Sequence, residues 1–247
     1  EVSLLKEKTW VFSTWDYTTM YLIEGEDKAV LIDTGTRCAD LDKIVGQITG
    51  KPLEVIVTHM HPDHAGCIKY FDKVWMHRAD TVLVPQHAAD YQGEFLYMEE
   101  GQVFDLGGRK LEVAWMPGHT PGSVVLLDKA NGDCYSGDAF GSGEVWLQCV
   151  PMSPIATFHE SCCRMEKLMK EGHIKDIWCG HYPYLKSSLP LAYIQTMIRI
   201  SHRLMNGDQE GSEPYSNYFI KMPPTARKLA EGRAMIVYDS TNIPEAR

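Results

Sequence analysis

The segment Thr58-His59-Met60-His61-Pro62-Asp63-His64 sets four side chains able to hold a metal ion within six consecutive positions, directly after the β-branched run Val55-Ile56-Val57 and just before Ala65-Gly66. A fold that carries it must end a strand at this point. It must also turn there, so that neighbouring residues spread around an ion instead of alternating across a sheet. Pro62 fixes such a turn. Imidazole and carboxylate together suit zinc or a similar borderline cation, and more ligands than one tetrahedral ion needs suggest two ions. His59 and His61 can then reach one ion while Asp63 and His64 reach another.

Three later segments each offer one more ligand in a turn: Pro117-Gly118-His119-Thr120-Pro121-Gly122-Ser123, Ser136-Gly137-Asp138-Ala139 and Cys179-Gly180-His181-Tyr182-Pro183. Each sets glycine beside the ligand, as expected where backbone passes close to a buried ion. The reading that follows puts His59, His61 and His119 on a first metal, Asp63, His64 and His181 on a second, and Asp138 between them. Core histidines satisfied by backbone carbonyls explain one such residue well and seven coordinated ligands poorly.

By these residues the chain resembles the metallo-β-lactamase superfamily, whose H-x-H-x-D-H motif, later His, bridging Asp and last His occur here in order, with the strands Tyr21-Leu22-Ile23, Val30-Leu31-Ile32-Asp33-Thr34-Gly35 and Ala234 to Asp239. The resemblance implies an α/β protein built as an αβ/βα four-layer sandwich with the metals at one edge between two sheets. It also implies a metal-dependent hydrolase holding two Zn2+, with Fe or Mn as alternatives. The commonest class B β-lactamases have Cys where Asp138 stands, and flavodiiron oxidoreductases have an acidic residue where His61 stands. The chain is therefore more similar to the glyoxalase II and lactonase-like branch. Gly141 occupies the position where acyl-homoserine lactonases have Tyr, and Arg199, Arg203, Lys221, Arg227 and Lys228 do not reproduce the basic grip of glyoxalase II on glutathione. A small ester, thioester or lactone is the expected substrate. The alternatives are a β-lactam hydrolase, an iron-dependent persulfide-type oxidoreductase and a non-catalytic metal-binding module.

Two neighbouring cations would bridge a water and lower its pKa, so the expected nucleophile is a hydroxide facing a bound carbonyl. Asp63 would orient that water and relay its proton. The phenol of Tyr182, next to His181, is a candidate to assist an oxyanion. Trp15 and Tyr17, in the loop Thr14 to Thr18, and Phe140, Trp146 and Tyr184, which follow metal ligands, are candidates to line a substrate pocket. Asp33 reads equally as an acceptor for a ligand histidine and as an Asx-type turn residue. His77, His87, His159, His173 and His202 lack ligand spacing and read as surface or core residues. Cys179 reads as a buried thiol.

At 247 residues with 44% hydrophobic content, the chain can bury a full core, and a single domain over 1–247 is expected. A net charge of −9 without a basic run argues against a nucleic-acid partner and leaves a small-molecule substrate. No apolar stretch approaches the roughly 20 residues of a bilayer span, so no membrane partner is expected, and the oligomeric state stays open. Seven scattered cysteines read as reduced thiols, hence the cytoplasm, unless a signal peptide was removed before Glu1.

Short buried strands interleave with helices expected at Cys38 to Ile48, Ala65 to Phe71, Arg78 to Val84, Thr157 to Glu171 and Leu189 to Asn206. The turns Glu24-Gly25-Glu26-Asp27 and Ala130-Asn131-Gly132-Asp133 should close antiparallel hairpins. Residues 85–104 and 207–228 read as surface loops.

Overall fold

The computed structural model describes residues 1–218 and 220–244. A seven-stranded sheet runs in chain order through β1 (Val2–Lys6), β2 (Thr9–Ser13), β3 (Thr19–Glu24), β4 (Ala29–Ile32), β5 (Leu53–Ile56), β6 (Lys73–His77) and β7 (Glu94–Met98). The first four strands pair antiparallel through tight turns. From β4 onward the pairing is parallel. Helical crossovers make that possible: α1 (Leu41–Gly46), α2 (Pro62–Ala65) and α3 (Val84–His87), with 3-10 turns at Ile68–Tyr70 and Arg78–Leu83.

The second sheet takes β8 (Val103–Asp105), β9 (Lys110–Trp115), β10 (Val124–Asp128) and β11 (Asp133–Gly137) as an antiparallel series. After β12 (Glu144–Trp146) and α4 (Ile155–Lys170), the chain returns as β13 (Asp176–Cys179), parallel to β11. Then come α5 (Tyr182–Leu185), α6 (Leu191–Met205), β14 (Glu213–Pro214), β15 (Ala226–Glu231) and β16 (Ala234–Asp239). The last three strands and β12 form a small sheet in the order β12-β16-β15-β14.

The layering follows from the pleat. On β3, Tyr21 and Ile23 face the second sheet while Met20 and Leu22 face the helices outside, and on β10 Val124 and Leu126 face inward while Val125 and Leu127 face α4 and α6. Strands buried on both faces need continuous apolar runs, and these have them. The outer helices answer with Phe158, Cys162, Met165 and Met169 on α4 and Ile194, Met197, Ile200 and Leu204 on α6, spaced to keep one face on the sheet. The result is helix, sheet, sheet, helix, the expected four-layer sandwich. The two hairpin turns close β3 onto β4 and β10 onto β11, as expected.

Several local expectations change. Residues 85–104 are not a plain loop, because β7 adds to the edge of the first sheet and its Phe95 and Tyr97 pack under the outer layer. Residues 207–228 contain β14 and the start of β15. The helix expected from Ala65 instead begins at Pro62, inside the motif, since proline suits the first helical turn and His61 stands before it in extended backbone. The first crossover helix is shorter than Cys38 to Ile48, entered through Asp40 at φ 54°.

Candidate metal centre

β5 ends at Ile56; the Val57 N–H still donates to the Trp75 carbonyl of β6 and the Thr58 carbonyl accepts from the Val124 N–H of β10, and carboxylates hold the N–H groups that follow. Asp33 accepts from the Thr58 N–H at 2.7 Å, and Asp80 accepts from the Met60 N–H at 2.9 Å. Between these clamps His59 is presented, and the α2 turn then presents Asp63 and His64. His119 comes from the turn between β9 and β10, Asp138 follows β11, and His181 follows β13, so every ligand leaves the same end of the two sheets. Gly180 shows why glycine accompanies the ligands: a Cβ there would sit 2.5 Å from Asp138 Oδ1 and from the His64 ring.

The donor atoms fall into two groups, each within 4.8 Å of one another: His59, His61 and His119, and Asp63, His64, Asp138 and His181. His61 Nδ1 and His119 Nε2 lie 3.0 Å apart. Asp138 stands between the groups, with Oδ2 at 3.2 Å from His181 Nε2 and 3.9 Å from His119 Nε2, and Oδ1 at 3.6 Å from His64 Nε2. The structure thus brings together all seven expected ligands.

Tautomers are fixed from behind. His64 Nδ1–H donates to Asp33 Oδ2 at 2.8 Å, His119 Nδ1–H to the Trp146 carbonyl at 2.8 Å, and His181 Nδ1–H to the Tyr17 carbonyl at 3.3 Å. Thr58 Oγ1 donates to Asp33 at 2.9 Å and therefore accepts from His59 Nδ1–H at 3.1 Å. Each of these rings thereby turns Nε2 toward the other members of the two groups, the arrangement that orients imidazole toward a metal. Asp33 is therefore a ligand support.

Burial drives His59 well below the ordinary histidine range and His61 down to about 3, with neighbouring imidazoles adding to the effect. In the second group burial also opposes charge, but the carboxylates of Asp63 and Asp138 outweigh it and raise His64 and His181. Those imidazoles in turn hold both carboxylates well below their usual range, against the burial that would raise them.

The set fits divalent cations. His59 Nε2, His64 Nε2 and Asp138 Oδ1 are buried and have no hydrogen-bond partner among the described residues, a condition that costs about 1–3 kcal/mol for each such atom unless a cation meets it. Histidine nitrogens with carboxylate oxygens and no thiolate accept zinc, iron or manganese.

The expected substrate contacts divide. Tyr17 and Tyr184 pack against one another with ring centroids 4.8 Å apart and planes tilted by 36°, and Tyr184 lies 6.1 Å from the His181 ring, which places the pair beside the centre. Trp15 stands exposed at the tip of the same loop as Tyr17. Trp146 is half-buried, its indole N–H donating to Glu144. Phe140 is a correction: it is fully buried in the core beneath the second sheet and out of reach of a substrate. Tyr182 is a second correction: it is half-buried, and its ring turns onto Trp178 at 5.7 Å and packs on the inter-sheet cluster. Cys179 is buried, as expected.

Two nearby residues had no signal in the spacing. Asp80 accepts from the Met60 N–H, from Thr120 Oγ1 at 2.9 Å and from the Gly122 N–H at 2.6 Å, tying the two loops that supply the first group. Burial raises its pKa. His87, expected on the surface or in the core, meets the His61 ring edge-on at 5.8 Å.

The sequence model of the Metallo-beta-lactamase superfamily matches residues 13–150, which include six of the seven candidate ligands and leave His181 outside. An acyl-coenzyme A thioesterase of Homo sapiens, MBLAC2, is 25% identical over 210 residues, covering 69% of this chain and 75% of its own. A hydroxyacylglutathione hydrolase of Francisella philomiragia is 24% identical over 191 residues, covering 75% of this chain and 73% of its own. Among solved structures, a metallo-beta-lactamase from Pontibacter korlensis superposes with a TM-score of 0.64 at 17% identity, over 82% of this chain and 98% of its own, a likeness of fold.

Proposed function

The chain belongs to the metallo-β-lactamase superfamily, and from that premise we propose that it is a dinuclear metal-dependent hydrolase of small acyl thioesters, with esters and lactones as neighbouring chemistries. The observation that carries the reading is the pair of ligand groups with Asp138 between them. Thioesters are favoured because the named substrates of both similar hydrolases, an acyl-coenzyme A and a hydroxyacylglutathione, are acyl thioesters. A carboxylate at 138 speaks against the β-lactam alternative.

Two zinc ions, held by His59, His61 and His119 and by Asp63, His64 and His181, would supply a hydroxide near neutral pH and polarise the acyl oxygen. The chain's own residues do the rest. Asp63 keeps Oδ2 3.5 Å from His181 Nε2 and remains partly exposed, so it can orient the attacking water and accept its proton. Tyr17 and Tyr184 offer a pair of aromatic rings to the acyl portion and exclude water from that side. The buried imidazoles hold their donor atoms in place, so little is reorganised when substrate binds.

All seven cysteines are free thiols, which supports action in a reducing compartment such as the cytoplasm. We read residues 1–247 as one domain, because the inter-sheet cluster draws on strands of both large sheets. No helix among the described residues is long and apolar enough to cross a membrane.

The test is a panel of acyl thioesters, lactones, phosphodiesters and β-lactams assayed with metal-loaded protein. Thioesters are expected to be cleaved fastest, with activity lost on chelation and restored by zinc. A preference for β-lactams would overturn the substrate assignment. Oxygen consumption with a persulfide by iron-loaded protein would overturn the hydrolase itself.

A further inference from the structure

His119 is held by a backbone carbonyl, and part of what holds that carbonyl, β16 and Tyr215, lies outside the part of the chain the family model matches. His119 Nδ1–H donates to the carbonyl of Trp146, the last residue of β12. β12 is an edge strand of the small sheet, anchored on one side by its parallel pairing with β16 and by the Leu147 N–H to the Val237 carbonyl at 2.8 Å. The other side is braced by side chains. Glu144 and Trp146 share a face at i and i+2. Glu144 Oε1 accepts both the Trp146 indole N–H at 3.0 Å and the Tyr215 hydroxyl at 3.0 Å. The rings of Trp146 and Tyr215 lie 6.1 Å apart. Tyr215 follows β14, at the opposite edge of that sheet, and its own N–H is fixed to the Ala226 carbonyl at 3.0 Å. Farther along, Gln148 Nε2–H donates to Met222 Sδ at 3.6 Å, fixing the same loop to the same segment.

We propose that Glu144, braced by Tyr215, is a positioning residue for the first metal group: it fixes the Trp146 turn, and the Trp146 carbonyl then holds His119 in the tautomer and orientation that present Nε2. Trp146 is accordingly a support of the metal centre through its backbone. The consequence is that a carboxy-terminal segment sets the affinity of one ligand group and leaves the other alone, since His64 is held through Asp33 and His181 through the Tyr17 carbonyl. Supports of this kind typically change metal affinity 10–100-fold. The inference rests on the two-metal reading above but is read out in metal binding, which needs no substrate.

The experiment compares wild type, Glu144→Ala, Tyr215→Phe and Glu144→Gln, each loaded with zinc and titrated with a competing chelator. Metal per chain is measured, thermal melting of the metal-free forms serves as the fold control, and kinetics are taken on the best substrate. Glu144→Ala should give up one of its two zinc ions at least about tenfold more easily than wild type, with the second retained as in wild type and the metal-free melting temperature unchanged. Its kcat should fall while KM stays within about twofold. Tyr215→Phe should shift in the same direction by less. Glu144→Gln should be close to wild type, because a single amide oxygen can accept both hydrogen bonds that Oε1 now accepts. Equal zinc retention in Glu144→Ala and wild type, loss of both ions together, or no rescue by Glu144→Gln would each overturn the proposal. A wild type that binds two zinc ions and cleaves nothing on the panel would overturn the proposed activity and leave this inference standing.

Discussion

Asp33 accepts from the Thr58 N–H, the Thr58 hydroxyl and His64 Nδ1, and it does so from a left-handed backbone at φ 63°. That conformation costs a non-glycine residue roughly 1–2 kcal/mol, which persists only because the hydrogen bonds over-determine it. Asp80 holds the other flank with the same chemistry. Asp80→Ala would orphan the buried N–H groups of Met60 and Gly122, at roughly 1–3 kcal/mol each. Denaturant unfolding should therefore show a loss of at least about 2 kcal/mol, and a change within about 0.5 kcal/mol would contradict the clamp. The ligands themselves were legible because metal chemistry demands particular residue types at a turn, and seven of them in order leave a pattern. Asp80 left none: it is one carboxylate after a strand, and only the fold brings it to residues 20 and 42 positions away. A pH response belongs to this scale too. His64 and His181 are raised in the metal-free protein, so a metal entering their group must displace protons, and affinity there falls as pH drops below the raised values. His59 and His61 are lowered, stay neutral, and meet no such competition. Dialysis at pH 8 and then at pH 6 should take the metal content from two toward one, with the His59, His61 and His119 group retaining its ion; loss of both ions in parallel would contradict the assignment.

Elements decide which aromatic residues meet a substrate. Tyr182 and Tyr184 both lie in α5, and at about 100° per residue two positions apart point to nearly opposite sides. Tyr184 therefore faces His181 while Tyr182 packs inward, a distinction that proximity to the ligand in sequence could not make. Phe140 follows Asp138 closely but turns under the sheet. The missed strands lie at or near sheet edges: β14 is two exposed residues with no apolar signal, β15 is apolar on one side only, and β7 is apolar but too short and too near a turn-rich segment to stand out from a loop. The runs Tyr21-Leu22-Ile23 in β3 and Val55-Ile56-Val57 at the end of β5, buried deep in the first sheet, were legible from their continuous apolar character. On the loop Thr14 to Thr18, Tyr17 serves twice, its carbonyl holding His181 and its ring packing against Tyr184. Changing Tyr17 and Tyr184 together to Ala removes the ring wall and leaves the carbonyl. KM should rise several-fold with metal content at the wild-type level, the mark of lost binding contacts. Loss of metal in that double variant would place the rings in the support of the ligands.

Across the whole molecule, two sheets pack face to face under helices and deliver their ligands from one end, so the centre sits on a scaffold stable without it. The inter-sheet cluster and the two outer clusters carry the buried area, and the ligand loops hang from strand ends. His119→Ala should therefore empty one group and Asp138→Ala disturb both, while circular dichroism stays that of the folded protein. The same scaffold frames the central claim, that the chain holds two metal ions through seven side chains. Elemental analysis of protein loaded with zinc and freed of excess metal measures it directly. The account predicts close to two ions per chain in the wild type and close to one in His119→Ala; a reproducible wild-type value near zero, or near one and unchanged by that substitution, would contradict it.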